Sequence, residues 1–138
     1  MKVIALYGHE NCGKTGTLTK LINLIIKANP NGIKTSKIDG GDSQFILSYQ
    51  NKTICICTAG DYPSHNIEAN FNFAIAEQAD ILVTASRSRG ATCEKIKEMA
   101  GKCAAPIEWY KKSDEINLSD RLKDACNQGY AEYLLGKL

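Results

Sequence analysis

The sequence predicts an α/β fold: a three-layer α/β/α sandwich on a mainly parallel sheet with one antiparallel hairpin strand. Short apolar runs of strand length alternate along the chain with longer amphipathic stretches of helix length. The run at residues 53–57 is almost entirely apolar, which is expected of a central parallel strand that is buried on both faces. A short polar turn separates this run from the preceding one, and that spacing predicts the hairpin.

The first strand is predicted at the apolar run from Val3 to Tyr7, and the first helix at residues 13–29. Apolar side chains recur in this helix at the i, i+3, i+4, i+7 spacing of an amphipathic helix. They are Leu18, Leu21, Ile22 and Ile25. The sequence Asn29-Pro30-Asn31-Gly32 should end the helix, because proline and glycine interrupt helical structure. An extended segment at residues 33–38 follows, and then a polar loop at residues 39–42.

The hairpin strands are predicted at residues 44–49 and 52–58, with the first of them towards an edge of the sheet. The loop at residues 58–64 leads into a second helix, whose predicted inward residues are Ile67, Phe71, Ala74 and Ile75. Next come a strand at residues 80–85 and a third helix from near Thr92, a plausible N-cap, to Gly101. The last elements are a strand at residues 106–110 and a helix that begins at an Asn117 cap. Its predicted inward residues are Leu122, Ala125, Cys126 and Tyr133.

Length and composition predict a single domain over residues 1–138, with no nucleic acid or membrane as its main partner. The formal net charge is only +2, and no apolar run approaches the length of a membrane span. Without an export signal in the sequence, we expect a cytoplasmic location. The six cysteines should then be free thiols. The sequence contains no Cys-x-x-Cys pair, so it does not predict a zinc site.

The first strand leads into the pattern Gly8-x-x-x-x-Gly13-Lys14-Thr15, which predicts a phosphate-binding loop. Glycine lets successive backbone N–H groups turn towards an anion, and the helix that opens at Gly13 adds its positive end. Lys14 would reach the phosphates, and the Thr15 hydroxyl would bind Mg²⁺. The alternative is an ordinary glycine-containing turn between a strand and a helix. The predicted binding residues are Gly8, His9, Glu10, Asn11, Cys12, Gly13, Lys14, Thr15 and Gly16.

Polar residues after two later strands are the remaining candidates, because ligands bind at the carboxyl ends of parallel strands. A magnesium ion near Thr15 needs a carboxylate, and Asp61 is the best candidate for a water-mediated contact to that ion or for orienting the attacking nucleophile. Asp61 would equally suit a helix cap. Together with Lys14, Arg87 and Arg89 would act on a transferring phosphate, although solvated arginines are the ordinary case. Cys12 lies next to a helix N-terminus, which favours a reactive thiol, so a redox role is possible for it. The alternative is that Cys12 is a loop residue without a chemical role.

With this motif and the alternation of strands and helices, the chain resembles the P-loop NTPase superfamily and its compact, uncharacterised bacterial ATP-binding proteins. The hairpin and the sequence Thr58-Ala59-Gly60 are similar to the switch region of small GTPases. Cys57 stands where those proteins have an aspartate, and their Asn-Lys-x-Asp guanine motif is absent. The resemblance therefore implies a P-loop NTPase fold that binds ATP, or another nucleoside triphosphate, with Mg²⁺.

This resemblance leaves three functions open. The first is Mg²⁺-dependent ATP binding and hydrolysis. The second is a small-molecule or nucleotide kinase, with Arg87 and Arg89 over the acceptor. The third is a regulatory module that binds nucleotide without hydrolysing it, which the missing acid at Cys57 favours. The protein partner or the small-molecule acceptor, and the oligomeric state, are left open.

Overall fold

In the computed structural model, which describes residues 1–39, 42–59, 65–113 and 117–138, helices cover both faces of a six-stranded sheet. The strands are β1 (Lys2–Tyr7), β2 (Ile33–Asp39), β3 (Asp42–Tyr49), β4 (Lys52–Cys57), β5 (Ile81–Ser86) and β6 (Ile107–Lys111). The helices are α1 (Lys14–Ala28), α2 (His65–Ala76), α3 (Ala91–Lys102) and α4 (Asp120–Leu135). The mixed α/β class predicted from the alternation of elements is confirmed.

The strand order is β2-β3-β4-β5-β1-β6. Strand β1 is parallel to both β5 and β6, and β4 is parallel to β5. Strand β3 is antiparallel to both of its neighbours, β2 and β4, so it alone runs against the direction of the sheet. The predicted hairpin strand is thereby confirmed, although β2 rather than β3 forms the edge on that side.

Alternating side chains of the strands form two hydrophobic cores, one on each face of the sheet, because successive residues of a strand point to opposite faces. Ile4 and Leu6 of β1 pack in the core that α1 and α4 cover. Val3 and Ala5 pack in the other core, under α2 and α3. The central strands β4 and β5 contribute to both cores, which explains why their sequences are almost continuously apolar.

Helix α4 differs most from its prediction. It begins at Asp120 with Ser119 as its N-cap, whose Oγ accepts a hydrogen bond from Leu122 N at 3.3 Å, and Asn117 lies before the cap. Leu122 and Tyr133 are 54% and 53% exposed, and Ala125 is exposed as well. Ala131 and Leu134 are the buried residues, so the helix is rotated relative to the predicted inward face.

Smaller corrections concern α2 and α3. Ile75 of α2, predicted to face inward, is 49% exposed, whereas Ile67, Phe71 and Ala74 are buried as predicted. The N-cap of α3 is Gly90, and Thr92 lies inside the first turn. Its buried hydroxyl accepts a hydrogen bond from Arg87 N at 3.2 Å and so fixes the turn after β5 instead of capping the helix.

The predictions about domain organisation and location stay predictions. In the part of the chain that the structure describes, every helix is too short or too polar to cross a membrane. All six cysteines are free thiols, and Cys55 and Cys57 lie in the core beneath α2.

Candidate functional site

The loop at the end of β1 begins with a glycine that has no room for a side chain. Gly8 N donates a hydrogen bond to Ser86 O at 3.2 Å, while Lys112 N donates to Tyr7 O at 2.7 Å. A Cβ atom at Gly8 would lie 2.6 Å from Lys112 O and 2.7 Å from Cys12 Sγ. Where the chain leaves the sheet, Gly8 is therefore closely packed against the ends of β5 and β6 and against its own loop.

The loop then turns through two left-handed residues into α1. Asn11 has φ 61°, and Gly13 has φ 98° and ψ 20°, a conformation that glycine adopts without strain. Helix α1 begins at Lys14 with no side chain as its cap and no acidic residue in its first turn. The N–H groups of a first helical turn lack partners within the helix and carry its positive dipole end. The predicted turn from strand to helix is confirmed, and its open end is available to an anion.

The Lys14 side chain is folded back into the loop. Only 5% of Lys14 is exposed, and its Nζ donates hydrogen bonds to Gly8 O at 2.9 Å and His9 O at 2.8 Å. The next polar atom is Cys12 Sγ, at 3.9 Å. Among the described residues, no carboxylate pairs with this ammonium group. The loop therefore holds a buried positive charge whose contacts are neutral.

A cavity opens beside this charge, at the start of α1. It has a volume of about 270 Å³, is open to solvent and is lined by Asn11, Gly13, Lys14, Thr15 and Gly16. Of the other predicted binding residues, Gly8 and Cys12 are buried, and Gly8 and His9 contribute the carbonyls that hold Lys14. Glu10 is exposed on the outer side of the loop.

The two predicted catalytic arginines differ in position. Arg87 Nη2 lies 3.6 Å from Glu10 Oε2, which brings this guanidinium group to the edge of the loop. Its charge there is shared with a carboxylate. Arg89 is exposed in the turn before α3. The structure thus brings Arg87, and not Arg89, next to the loop.

The predicted magnesium site has one member in the described part of the chain. Thr15 is exposed at the start of α1, whereas Asp61 lies outside the described residues. Among the described residues, no cluster of three or more His, Cys, Asp or Glu side chains suits a metal ion. In the sheet, strand β5 lies between β4 and β1. One hydroxyl group does not define a metal site.

Two residues near the loop were missed from the sequence. Lys112 is only 1% exposed, and its Nζ donates to Cys12 O at 2.9 Å and lies 4.8 Å from the centre of the Tyr130 ring. Asn127 of α4 accepts a hydrogen bond from Thr17 Oγ1 at 3.2 Å. Both follow the loop by about a hundred residues, and the only signal was that Lys112 comes directly after the last strand.

Asn127 also explains two glycines at the start of α1. A Cβ atom at Gly13 would lie 2.6 Å from Asn127 Oδ1, and one at Gly16 would lie 2.7 Å from Asn127 Nδ2. The amide therefore packs directly on the backbone of the first turn of α1. Lys112 and Asn127 are positioning residues, since they hold the loop without lining its cavity.

A second polar cavity, of about 150 Å³, lies at the end of β4. The buried amide of Asn70 forms its floor, accepting a hydrogen bond from Gln44 Nε2 at 2.9 Å and donating one to Ala59 O at 2.8 Å. Asn70 thus ties β3 and the end of β4 to α2. The residues that line this cavity do not include any from the loop at the end of β1.

No protein-family model matches this chain, and no curated protein matches it. Solved structures do resemble it at low identity. One is a protein called APE1195, with a TM-score of 0.48 and 11% identity, for which the match covers 99% of this chain and 73% of that chain. A mutant futalosine hydrolase from Helicobacter pylori gives a TM-score of 0.46 and 10% identity over 100% of both chains. The Helicobacter pylori nucleosidase MTAN gives 0.47 and 10% over 99% of this chain and 100% of that chain.

These comparisons correct the membership of the P-loop NTPase superfamily that the motif implied, because no family model and none of these structures supports it. The named neighbours are a futalosine hydrolase and a nucleosidase. The predicted ATP hydrolysis, the kinase alternative, the nucleotide-binding regulatory module and the likeness to small GTPases rested on that membership and lose their support with it. The physical reason is that the motif specifies one turn between a strand and a helix, which does not determine the rest of a fold. With TM-scores below 0.5, the activities of the neighbours stay with those proteins.

Proposed function

We propose that the loop at residues 8–16 binds a phosphate group of a small phosphorylated ligand. The proposal assigns binding alone, without hydrolysis or phosphoryl transfer. The observation that carries it is the Lys14 ammonium group, 5% exposed and held by two backbone carbonyls at the open end of α1. Burying a cation without an opposite charge is unfavourable, so a bound anion would supply the missing partner.

The hydrogen bonds of Lys14 leave room for that anion. An ammonium group has three donors, and two of them go to Gly8 O and His9 O. The remaining neighbour, Cys12 Sγ at 3.9 Å, is a weak acceptor. A phosphate oxygen is a much stronger acceptor, and its hydrogen bond to an ammonium group is assisted by charge.

The first turn of α1 would supply the remaining donors. Its N–H groups and positive dipole end favour a phosphate at the same cavity that Lys14 lines. The cavity's volume of about 270 Å³ is close to the lower end, roughly 300 Å³, of the range for small-molecule sites. ATP and Mg²⁺ stay predictions from the sequence, and the phosphate proposal depends on neither.

Calorimetric titration with inorganic pyrophosphate tests this function. Lys14→Met keeps the length of the side chain and removes its charge, so affinity should fall about 10- to 100-fold, the range of a lost charge-assisted hydrogen bond. Lys27→Met, at the exposed far end of the same helix, is the matched control with the same net charge. It should bind pyrophosphate like the wild type. Equal affinities of Lys14→Met and the wild type would refute the proposal, as would equal losses in both variants.

A further inference from the structure

Glu10 is the only acidic residue of the loop at residues 8–16, and it lies close to the buried ammonium group of Lys14. Lys14 Nζ donates to His9 O at 2.8 Å, and that carbonyl belongs to the peptide bond between His9 and Glu10. Standard bond lengths then place Lys14 Nζ within about 6 Å of the Glu10 Cα atom. A glutamate side chain is long enough to cover that distance. Glu10 is therefore a carboxylate that can reach the proposed phosphate site from within the loop.

In the structure, the Glu10 carboxylate faces Arg87 instead of Lys14. The Glu10 side chain is 62% exposed, and its Oε2 lies 3.6 Å from Arg87 Nη2 at the edge of the loop. Among the described residues, the polar contacts of Lys14 Nζ are two carbonyl oxygens and a sulfur atom. The carboxylate is therefore turned away from the ammonium group and towards the end of β5.

The backbone that carries Arg87 is fixed by hydrogen bonds to two buried side chains. Arg87 N donates to Thr92 Oγ1 at 3.2 Å, and Ser86 Oγ donates to Arg87 O at 2.9 Å. Ser86 O in turn accepts the hydrogen bond from Gly8 N at 3.2 Å, where the loop begins. The guanidinium group is thereby anchored at the end of the sheet, next to the loop whose carboxylate it holds.

We infer that Arg87 is a positioning residue that keeps the Glu10 carboxylate out of the phosphate site. The Lys14 ammonium group and the open end of α1 attract any anion within reach. Without the guanidinium group, Glu10 turns to Lys14 and competes with the ligand, and the apparent affinity falls with the fraction of molecules in which the site stays open. This inference rests on the proposed phosphate binding, and it gives Arg87 no contact with the ligand.

A double-mutant cycle tests this role, with pyrophosphate titrated calorimetrically at an ionic strength of about 0.15 M, which screens distant charges. Arg87→Met should weaken binding about 3- to 10-fold, which corresponds to a Glu10 carboxylate that occupies the site for roughly 70–90% of the time. Glu10→Gln should bind pyrophosphate at least as tightly as the wild type, because it removes the competing carboxylate. The double variant should bind like Glu10→Gln, since Arg87 then has no competitor to hold. A direct contact between Arg87 and the ligand, or damage to the fold, would instead weaken binding equally in both backgrounds.

Arg89→Met is the matched control, because it removes the same charge from an exposed arginine of the same turn, and it should bind like the wild type. Four results would overturn the inference: wild-type affinity in Arg87→Met, equal losses in the two arginine variants, weaker binding by Glu10→Gln, and a loss from Arg87→Met that Glu10→Gln leaves unaltered. Lys14→Met separates these results from a failure of the proposed function. If Lys14→Met weakens pyrophosphate binding and Arg87→Met does not, only the role of Arg87 is wrong; if Lys14→Met has no effect, the phosphate site itself is wrong.

Discussion

Replacing Gly8 by alanine should destabilise the protein at the point where β1 enters the loop. The new Cβ would lie 2.6 Å from a backbone oxygen of Lys112 and 2.7 Å from Cys12 Sγ, well inside van der Waals contact. The carbonyl belongs to the residue whose own N–H is bonded to Tyr7 O at 2.7 Å, so it cannot yield without disturbing the junction of β1 and β6. Crowding of this kind typically costs about 1–3 kcal/mol.

That energy converts into a measurable change in melting temperature. The entropy of unfolding is about 2.1 cal/mol/K per residue, which gives about 290 cal/mol/K for 138 residues. Gly8→Ala should therefore lower the midpoint of thermal unfolding, followed by circular dichroism or calorimetry, by about 3–10 °C. Adding Cys12→Ala should recover only part of the loss, because the contact with Lys112 O remains.

Gly101→Ala is the matched control for this experiment. Gly101 lies in α3, and a Cβ atom there would meet nothing within 4 Å. Alanine is favoured over glycine in a helix by about 0.5–1 kcal/mol, so this variant should melt about 2–3 °C higher than the wild type. If Gly8→Ala melts at or above the wild-type temperature, the close packing deduced for the loop is wrong.

Two further variants test contacts away from Gly8. Asn127→Ala should lower the free energy of unfolding, measured in urea, by about 1–2 kcal/mol, because the buried Thr17 hydroxyl loses its partner. The control Gln128→Ala, at the neighbouring position, should change this free energy by less than about 0.5 kcal/mol. Similar losses of stability in the two variants would contradict the contact between Asn127 and Thr17. The hydrogen bond from Tyr110 lowers the pKa of Glu108, with Lys2 contributing, and the Glu108 carboxylate raises the pKa of Tyr110 to about 12. Because the pKa of Glu108 is lowered on folding, its ionised carboxylate stabilises the fold at pH values above its unfolded pKa of about 4.3. This stabilisation is lost as the pH falls through the folded pKa. The difference in stability between the wild type and Tyr110→Phe should therefore shrink in acid. A difference that is constant from pH 7 to pH 3 would contradict this coupling.

Much of the sheet could be predicted because burial on both faces leaves a strong signal in the sequence. The apolar runs of β4 and β5 predicted central strands, and the regular spacing in α1 predicted its buried face. Helix α4 failed because its apolar residues fall on more than one face. It contacts α1 through Asn127 and is buried at Ala131 and Leu134, and nothing in the sequence distinguishes that face from the exposed Leu122 and Tyr133.

The loop itself was predictable because its structure is local. Glycine at the two tight positions and lysine at the start of a helix produce the turn over fewer than ten residues. Lys112 and Asn127 could not be found in this way, because only the folded sheet and the packing of α4 on α1 bring them to the loop. The superfamily assignment failed for the same reason: a local motif was extended to the whole chain.

The most direct test of the phosphate proposal is to map where pyrophosphate binds, by following backbone amide chemical shifts during a titration. The largest changes should occur at the amides at the start of α1, those of Gly13, Lys14, Thr15 and Gly16. Lys14→Met should remove these changes. Changes centred on other parts of the surface, or none at saturating pyrophosphate, would contradict the assignment of the loop as a phosphate-binding site.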